Sequence, residues 1–374
     1  TLGTARRTDT PHRYPAPPLR RPARHRRHRL MNTLRPGDTM LTDWRAAAAR
    51  FEAEVAKAVV GQERAIRLAT IAIFARGHVM LEGDVGVGKT TLLRAVARAM
   101  GGAYERVEGT VDMMPTDLVY HTYLGEDGRP RIEPGPVLAA SEDLAIFFFN
   151  EINRARPQVH ALLLRLMAER SLTAFNREYR FPLLQVFADR NRVEREETFE
   201  LPAAARDRFL MEIGMEAPRD AATRRALAFD PRFHDTDRLV AGIETGILDP
   251  AALAGIAAAI QHGVRASEAI ETYVVALWEA LVRPHAAGIR LPGIDDMAGL
   301  VQGGASPRGV AALVRAARVR AWLEERDWLV PEDIRAVFAP VMAHRVFLEP
   351  IHEMGRAEIV PALCRALFET VPAP

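Results

Sequence analysis

Gly83-Asp84-Val85-Gly86-Val87-Gly88-Lys89-Thr90 decides how this chain is read. Lys89 is one of only two lysines, Lys57 being the other, among fifty Lys and Arg side chains. A loop that cradles phosphate needs glycines so that backbone N–H groups can close around the oxygens. It also needs a slim ammonium for the terminal phosphates and a hydroxyl for Mg²⁺. A guanidinium is a planar fork and does not replace that point charge, which gives a physical reason for a lysine in an arginine-dominated chain. By chance the pattern would arise on the order of once in two thousand chains of this composition. Outward from the loop, Val79-Met80-Leu81-Glu82 reads as a buried strand. Leu92 to Met100 reads as a helix whose N-terminal dipole faces the anion. A plain strand-to-helix turn would need only the glycines. The added Lys and Thr point to a nucleoside triphosphate held by Gly83, Asp84, Val85, Gly86, Val87, Gly88, Lys89, Thr90 and Thr91, with Mg²⁺ on Thr90.

The chain has 374 residues and is 48% hydrophobic, enough to bury a full core and to divide into two domains plus a tail. No apolar run approaches the roughly twenty residues that span a bilayer, so no membrane partner is expected. Cys364 is the single cysteine, which excludes a disulfide framework within the chain and suits a reducing, cytoplasmic compartment. Its place in the apparent helix Ile359 to Thr370 suits a small core residue. The eleven histidines show neither C-x-x-C partners nor H-E-x-x-H spacing, so no protein metal site is assigned.

The net charge of +2 hides an asymmetry. Residues 1–30 hold nine arginines against Asp9, so the other 344 carry 41 basic and 47 acidic groups, a net of −6. The stretch 1–40 is read as a disordered Arg/Pro-rich tail, because it has no apolar periodicity to offset the entropy of folding. A misassigned upstream start, a basic nucleic-acid arm and an Arg-rich transit peptide are the three readings. The first is favoured, since Met31 and Met40 precede the first patterned segment and the tail has neither h-region nor amphipathic stripe.

Helical spacing runs from Asp43 to Val60 and again from Arg64 to Ala75. Strand candidates follow at Val79 to Glu82, Tyr104 to Glu108, Leu144 to Phe149, Leu183 to Ala188 and Met211 to Ile213, alternating with helices. That alternation predicts an α/β domain over 41–219, a parallel sheet sandwiched by helices. Within it, Thr116 to Val137 reads as a projecting hairpin around Gly125-Glu126-Asp127-Gly128, and Glu194 to Glu200 as a charged loop. Beyond Arg219 the strand signal disappears, and 220–374 is expected to be a small all-helical lid.

Ala145 to Phe149 followed by Asn150-Glu151 puts two polar residues at the carboxyl edge of the sheet, where ligands of such sheets sit. Glu151 is there the candidate to polarise an attacking water. With Asn150-Glu151-Ile152-Asn153-Arg154-Ala155, and with Val60-Gly61-Gln62, Gly109-Thr110, Pro134-Gly135-Pro136, Asp207-Arg208-Phe209 and Gly304-Ala305-Ser306-Pro307-Arg308, the chain resembles the MoxR group of AAA+ ATPases. The resemblance runs in family order from about Val59 to Leu348, 290 residues. It implies a P-loop AAA+ domain followed by a helical lid, with Lys89 and Thr90 as P-loop groups and Glu151 as the Walker B glutamate. It likewise implies Asn191 as sensor 1, Arg208 as an arginine finger acting on a neighbouring subunit's ATP, and Arg308 as sensor 2.

The chain also departs from that pattern. Asn150 stands for the Walker B aspartate; its amide can still reach the metal indirectly, through a water, but adds no negative charge. Metal affinity and turnover are expected to fall, and restoring Asp at 150 to lower the Mg²⁺ requirement, unless Asp189 already supplies the charge. Asp189-Arg190 replaces small polar residues, Arg192 a proline, and Ala203-Ala204-Ala205-Arg206 lacks an acid.

The resemblance implies ATP and Mg²⁺ as cofactors, a hexameric homo-oligomeric ring, a von Willebrand factor A-type partner, and remodelling or maturation of a protein client. The group it most resembles is linked to methanol dehydrogenase activation. An ATP-gated scaffold with little turnover is the alternative that Asn150 motivates. A DNA-acting motor has only the basic tail in its favour, so nucleic acid is not the expected partner: the rest of the chain is acidic and shows no DNA-reading module.

Overall fold

A computed structural model of the protein describes residues 38–191 and 199–374. The basic arm of residues 1–30 and most of the charged loop expected at 194–200 lie outside the described residues, as does Arg192.

The strands β1 (His78–Gly83), β2 (Ala103–Glu108), β5 (Leu144–Asn150), β8 (Gln185–Arg190) and β9 (Phe209–Met215) form one sheet in the order β2-β5-β8-β1-β9, all parallel where paired. Between them lie two hairpins, β3–β4 (Tyr120–Leu124 and Pro130–Pro134) and β6–β7 (Ser171–Ala174 and Arg177–Arg180). The first is the hairpin read around Gly125 to Gly128. The second was not anticipated: its strands are four residues each, too short for a period-2 pattern to stand out.

The centres of β1, β5, β8 and β9 are mostly apolar because both faces of the sheet are covered there, whereas the edge strand β2 is mostly half-buried and carries Glu105, Arg106 and Glu108. On one face Phe148 and Phe187 pack with Leu92, Leu93 and Val96 of the helix after the phosphate loop. On the other, Phe147 and Phe149 pack with Val159 and Leu163 of helix Pro157–Glu169. The alternation sends neighbouring residues to opposite faces. Glu82, Arg190 and Glu212 therefore meet on the second face, where the Arg190 guanidinium lies 3.0 Å from a carboxylate oxygen of each acid.

Helices α1 (Asp38–Ala56) and α2 (Glu63–Phe74) precede the sheet, each placed a little earlier than the sequence spacing suggested. They are apolar on the side that meets the C-terminal helices: Phe74 stacks on Trp322 with ring centroids 4.9 Å apart, and Trp322 Nε1–H donates to the Leu41 carbonyl. The C-terminal part is thus anchored on the α/β part through one continuous apolar core.

Past Arg219 the chain is helical with one correction. Val301–Gly303 (β10) pairs antiparallel with Phe347–Leu348 (β11), flanking the Gly304 to Arg308 loop. Strands of two and three residues carry no readable periodicity. Cys364 is buried in helix Arg356–Thr370, and burial pushes its thiol up to about 12, the behaviour of an inert core residue. No helix among the described residues is long and apolar enough to cross a membrane.

Candidate functional site

The loop between β1 and helix α3 (Lys89–Met100) has its glycines where the backbone requires them. Gly86 and Gly88 take φ of 81° and 95°, and a Cβ at either would meet nothing within 4 Å, so the left-handed turn and not crowding selects glycine. Gly88 caps α3 with no side-chain hydrogen bond, which leaves the first-turn N–H groups for an anion. Lys89, 7% exposed, threads back under this turn. Its Nζ donates to the Gly83 carbonyl at 2.5 Å, the Asp84 carbonyl at 3.1 Å and Asn191 Oδ1 at 2.6 Å.

That last bond ties the loop to a second element. Asn191 follows β8, which runs two residues further than the apolar run Leu183 to Ala188 suggested and takes in Asp189 and Arg190. Asn191 Nδ2 donates to Glu151 Oε1 at 3.3 Å. Lys89, Asn191 and Glu151 are therefore joined in one chain of hydrogen bonds along the carboxyl edge of β1, β8 and β5. Arg154 Nε lies 2.8 Å from Glu151 Oε2, an ion pair out of line for a hydrogen bond.

Glu151 takes φ 53° and ψ 50°, a left-handed conformation costly for a residue with a side chain. Two contacts hold it there. Its N–H donates to Asp189 Oδ1 at 2.5 Å. Gly109, whose N–H donates to the Asn150 carbonyl at 2.8 Å, packs so close that a Cβ would sit 2.4 Å from the Glu151 carbonyl oxygen. Only glycine admits that approach.

Asn150 ends β5, 7% exposed, directly beside Asp189 on β8. In the amide orientation that satisfies both ends, its nitrogen donates to both Asp189 oxygens at 3.1 Å. Asp189 is 2% exposed, and burial raises its carboxyl to about 6 against the opposing pull of the Glu151 N–H and the Lys89 charge. The sequence offered Asp189 as a source of the charge missing at Asn150, but not its contact with that residue. Pairing across neighbouring strands brings it there, and no spacing along one strand could show that.

The oxygen donors fit a hard cation with a nucleotide: the Thr90 hydroxyl at the first turn of α3, the carbonyl end of Asn150, and the buried charge of Asp189 behind it.

Arg208 and Arg308 are not brought to Lys89. Among the described residues the hydrogen bond of Arg208 is to the Ala204 carbonyl at 3.4 Å, and its Nε is buried without a partner. Arg308 is largely exposed, its NH1 3.3 Å from Asp207 Oδ2. Asp207 also accepts from Ser306 Oγ at 3.1 Å on each oxygen and from Arg345 Nε at 3.0 Å. Arg345 is 2% exposed and donates further to the Asp207, Phe209, Leu210 and Val341 carbonyls. This carboxylate thus ties the Arg208 segment to the Arg308 loop. Arg345 is 138 residues away in sequence and carries no motif, so no sequence signal points to it.

The family comparisons agree with this geometry. Residues 78–211 match the model of the ATPase family associated with various cellular activities (AAA), and residues 297–363 match the AAA lid domain. Protein MoxR of Methylorubrum extorquens is 83% identical over 344 residues, 92% of this chain and 100% of that protein. Chaperone MoxR1 of Mycobacterium tuberculosis is 33% identical over 301 residues, 79% of this chain and 74% of that one. A solved candidate ATPase from Cytophaga hutchinsonii superposes with a TM-score of 0.73 at 27% identity, over 90% of this chain and 97% of that one. A P-loop beside a sheet of order β2-β5-β8-β1-β9, a helical lid and an identity of this extent together show that the chain belongs to the MoxR family of AAA+ ATPases.

Proposed function

We propose that the chain binds ATP with Mg²⁺ at the Gly83 to Thr91 loop and couples its hydrolysis to the remodelling of a protein client. The observation that carries this reading is the hydrogen-bonded chain Lys89–Asn191–Glu151, which joins a phosphate-binding cation to a carboxylate able to activate water. The α3 N-terminus and Lys89 bind and orient the phosphates, and Thr90 with the Asn150 carbonyl end would hold the cation. Bound there, Mg²⁺ would neutralise charge that builds on the phosphate oxygens. Asn191 shares its amide between Lys89 and Glu151 and so places the base against the phosphates.

Arg208 is outside this cluster in its own chain, which suits a finger supplied to a neighbour's ATP in a ring, with Arg308 as the lid's sensor. A chaperone-like role is supported by the relation to Chaperone MoxR1. A dehydrogenase is the client to test first, since the chain resembles the group linked to methanol dehydrogenase activation. A von Willebrand factor A-type partner is inferred on the same resemblance.

A slow, ATP-gated scaffold is favoured only by Asn150. Steady-state phosphate release with Mg²⁺ separates the two: turnover of at least about 1 per minute per chain, abolished in Lys89→Ala together with ATP binding by calorimetry, supports the motor. Intact ATP binding in Lys89→Ala removes the site assignment.

A further inference from the structure

The Walker B position of this chain holds an amide, yet the site does not lack a buried negative charge. Phe148 and Phe187 lie on the sheet face that carries helix α3. Asn150 and Asp189 lie two residues beyond them on the paired strands β5 and β8, hence on that same face, at the carboxyl end next to the phosphate loop. Phe149 is in register with Ala188, so Asn150 and Asp189 are lateral neighbours. Their side chains bond directly: the Asn150 amide nitrogen reaches both carboxylate oxygens at 3.1 Å. Asp189 also accepts the N–H of the candidate base Glu151 at 2.5 Å.

Two consequences follow from this contact. An amide has one donor end and one acceptor end, so committing the nitrogen to Asp189 leaves the Asn150 carbonyl oxygen as the end available to a cation's water shell. A carboxylate behind that amide also adds its field to the same pocket, in a buried environment that screens poorly.

We propose that Asp189 is a positioning residue for the nucleotide-bound cation: the negative charge missing at Asn150 has moved one strand sideways, and Asp189 acts through the Asn150 amide it orients. This rests on the nucleotide reading above and adds to it where the charge resides. Asn150 and Asp189 are then a single unit, and neither substitution should be judged alone. A site short of charge would gain from Asn150→Asp. A site already charged through Asp189 would not, because two adjoining carboxylates in a buried place repel and retain a proton.

The test is a Mn²⁺ titration, read by the electron paramagnetic resonance of free Mn²⁺, on protein with the slowly hydrolysed analogue ATPγS. Affinity for ATPγS in EDTA is measured alongside. Asp189→Asn is expected to weaken Mn²⁺ about tenfold, the loss of a modestly screened unit charge, while metal-free ATPγS affinity stays within about twofold. The swap Asn150→Asp with Asp189→Asn restores the hydrogen-bonded pair with reversed polarity and should return Mn²⁺ affinity to within about threefold of wild type.

Wild-type Mn²⁺ affinity in folded Asp189→Asn overturns the proposal, and so does Asn150→Asp alone binding Mn²⁺ about tenfold more tightly than wild type. If Asp189→Asn fails to fold, the swap decides: near-native Mn²⁺ affinity supports the pair, and a tenfold loss refutes it. Wild-type protein that binds no ATPγS removes the nucleotide reading itself and this inference with it, a failure told apart by the protein in which it occurs.

Discussion

Asp207→Ala takes one carboxylate from beneath three side chains. Arg345 loses the Nε contact at 3.0 Å, Ser306 loses both oxygens, and Arg308 loses its 3.3 Å partner. The exposed Arg308 is solvated by water and contributes little. Arg345 decides the magnitude, because burial already pulls its guanidinium down to about 10 and Asp207 is the one carboxylate paired with it among the described residues. Leaving a buried charge without its partner costs about 3–5 kcal/mol. Four backbone carbonyls still accept from Arg345, and the Asp207 side chain is itself 20% exposed, so the lower end applies, about 3 kcal/mol. Asp207→Asn keeps an acceptor and should cost about half as much. Urea unfolding followed by tryptophan fluorescence measures both, and ATP turnover of the folded variant should fall as well, since the Arg208 segment loses its tie to the lid loop. Asp207→Ala within about 0.5 kcal/mol of wild type, with full turnover, would refute the idea that this carboxylate holds the segment.

Gly109→Ala drives a methyl into the Glu151 carbonyl and should lower turnover by about tenfold or more while ATP affinity stays within about threefold, checked by phosphate release and calorimetry. Arg208→Ala mixed with Lys89→Ala should regain part of the activity that each lacks alone, because some interfaces pair an intact pocket with an intact finger; no regain at any mixing ratio argues against action in trans. Burial lowers His78, to about 3, and also His160 and His344, below the ordinary histidine range. The unfolded chain therefore binds more protons than the folded one below about pH 6.5, and stability present above that pH is lost as pH falls toward the folded values. His78 contributes about 1.4 kcal/mol between pH 7.5 and 5.5, and His160 and His344 act in the same direction. Asp189, raised to about 6, opposes them, as do Glu105 and Glu212, whose carboxyls burial also raises; with the three imidazoles dominant, the midpoint of thermal unfolding should be lower at pH 5.5 than at 7.5, and an equal or higher midpoint contradicts that dominance.

What the sequence made legible was what short-range chemistry dictates. The glycines and Lys89 announced the loop, and apolar runs announced β1, β5, β8 and β9, because a parallel sheet covered on both faces leaves little polar alternation to confuse them; the edge strand β2 was read as well, although it carries Glu105, Arg106 and Glu108. Glu151 was found by its place at a strand end and Asn191 through the family resemblance, and the structure joins them to Lys89 by hydrogen bonds. The relation of Asn150 to Asp189 was not legible as a contact, because it depends on which strands are neighbours: β8 lies beside β5 in the sheet although helix Pro157–Glu169 and the β6–β7 hairpin separate them in the chain. The Asp207 cluster was hidden for the same reason, its arginines lying about a hundred residues and more from it in sequence. The β6–β7 and β10–β11 pairs are too short to carry a pattern, and the first of them follows a positive-φ residue, Arg170, which no composition rule marks.

We propose Glu151 as the base of an ATP site built on Lys89. Single-turnover measurement tests it most directly: limiting [γ-³²P]ATP with Mg²⁺ is mixed with excess wild-type or Glu151→Gln protein, the reaction is quenched in acid, and bound nucleotide is counted as ATP or ADP. Glu151→Gln is expected to bind ATP as wild type does and keep it intact, with hydrolysis slowed at least about a hundredfold. Hydrolysis within a factor of about two of wild type by a folded, ATP-loaded Glu151→Gln protein would contradict it.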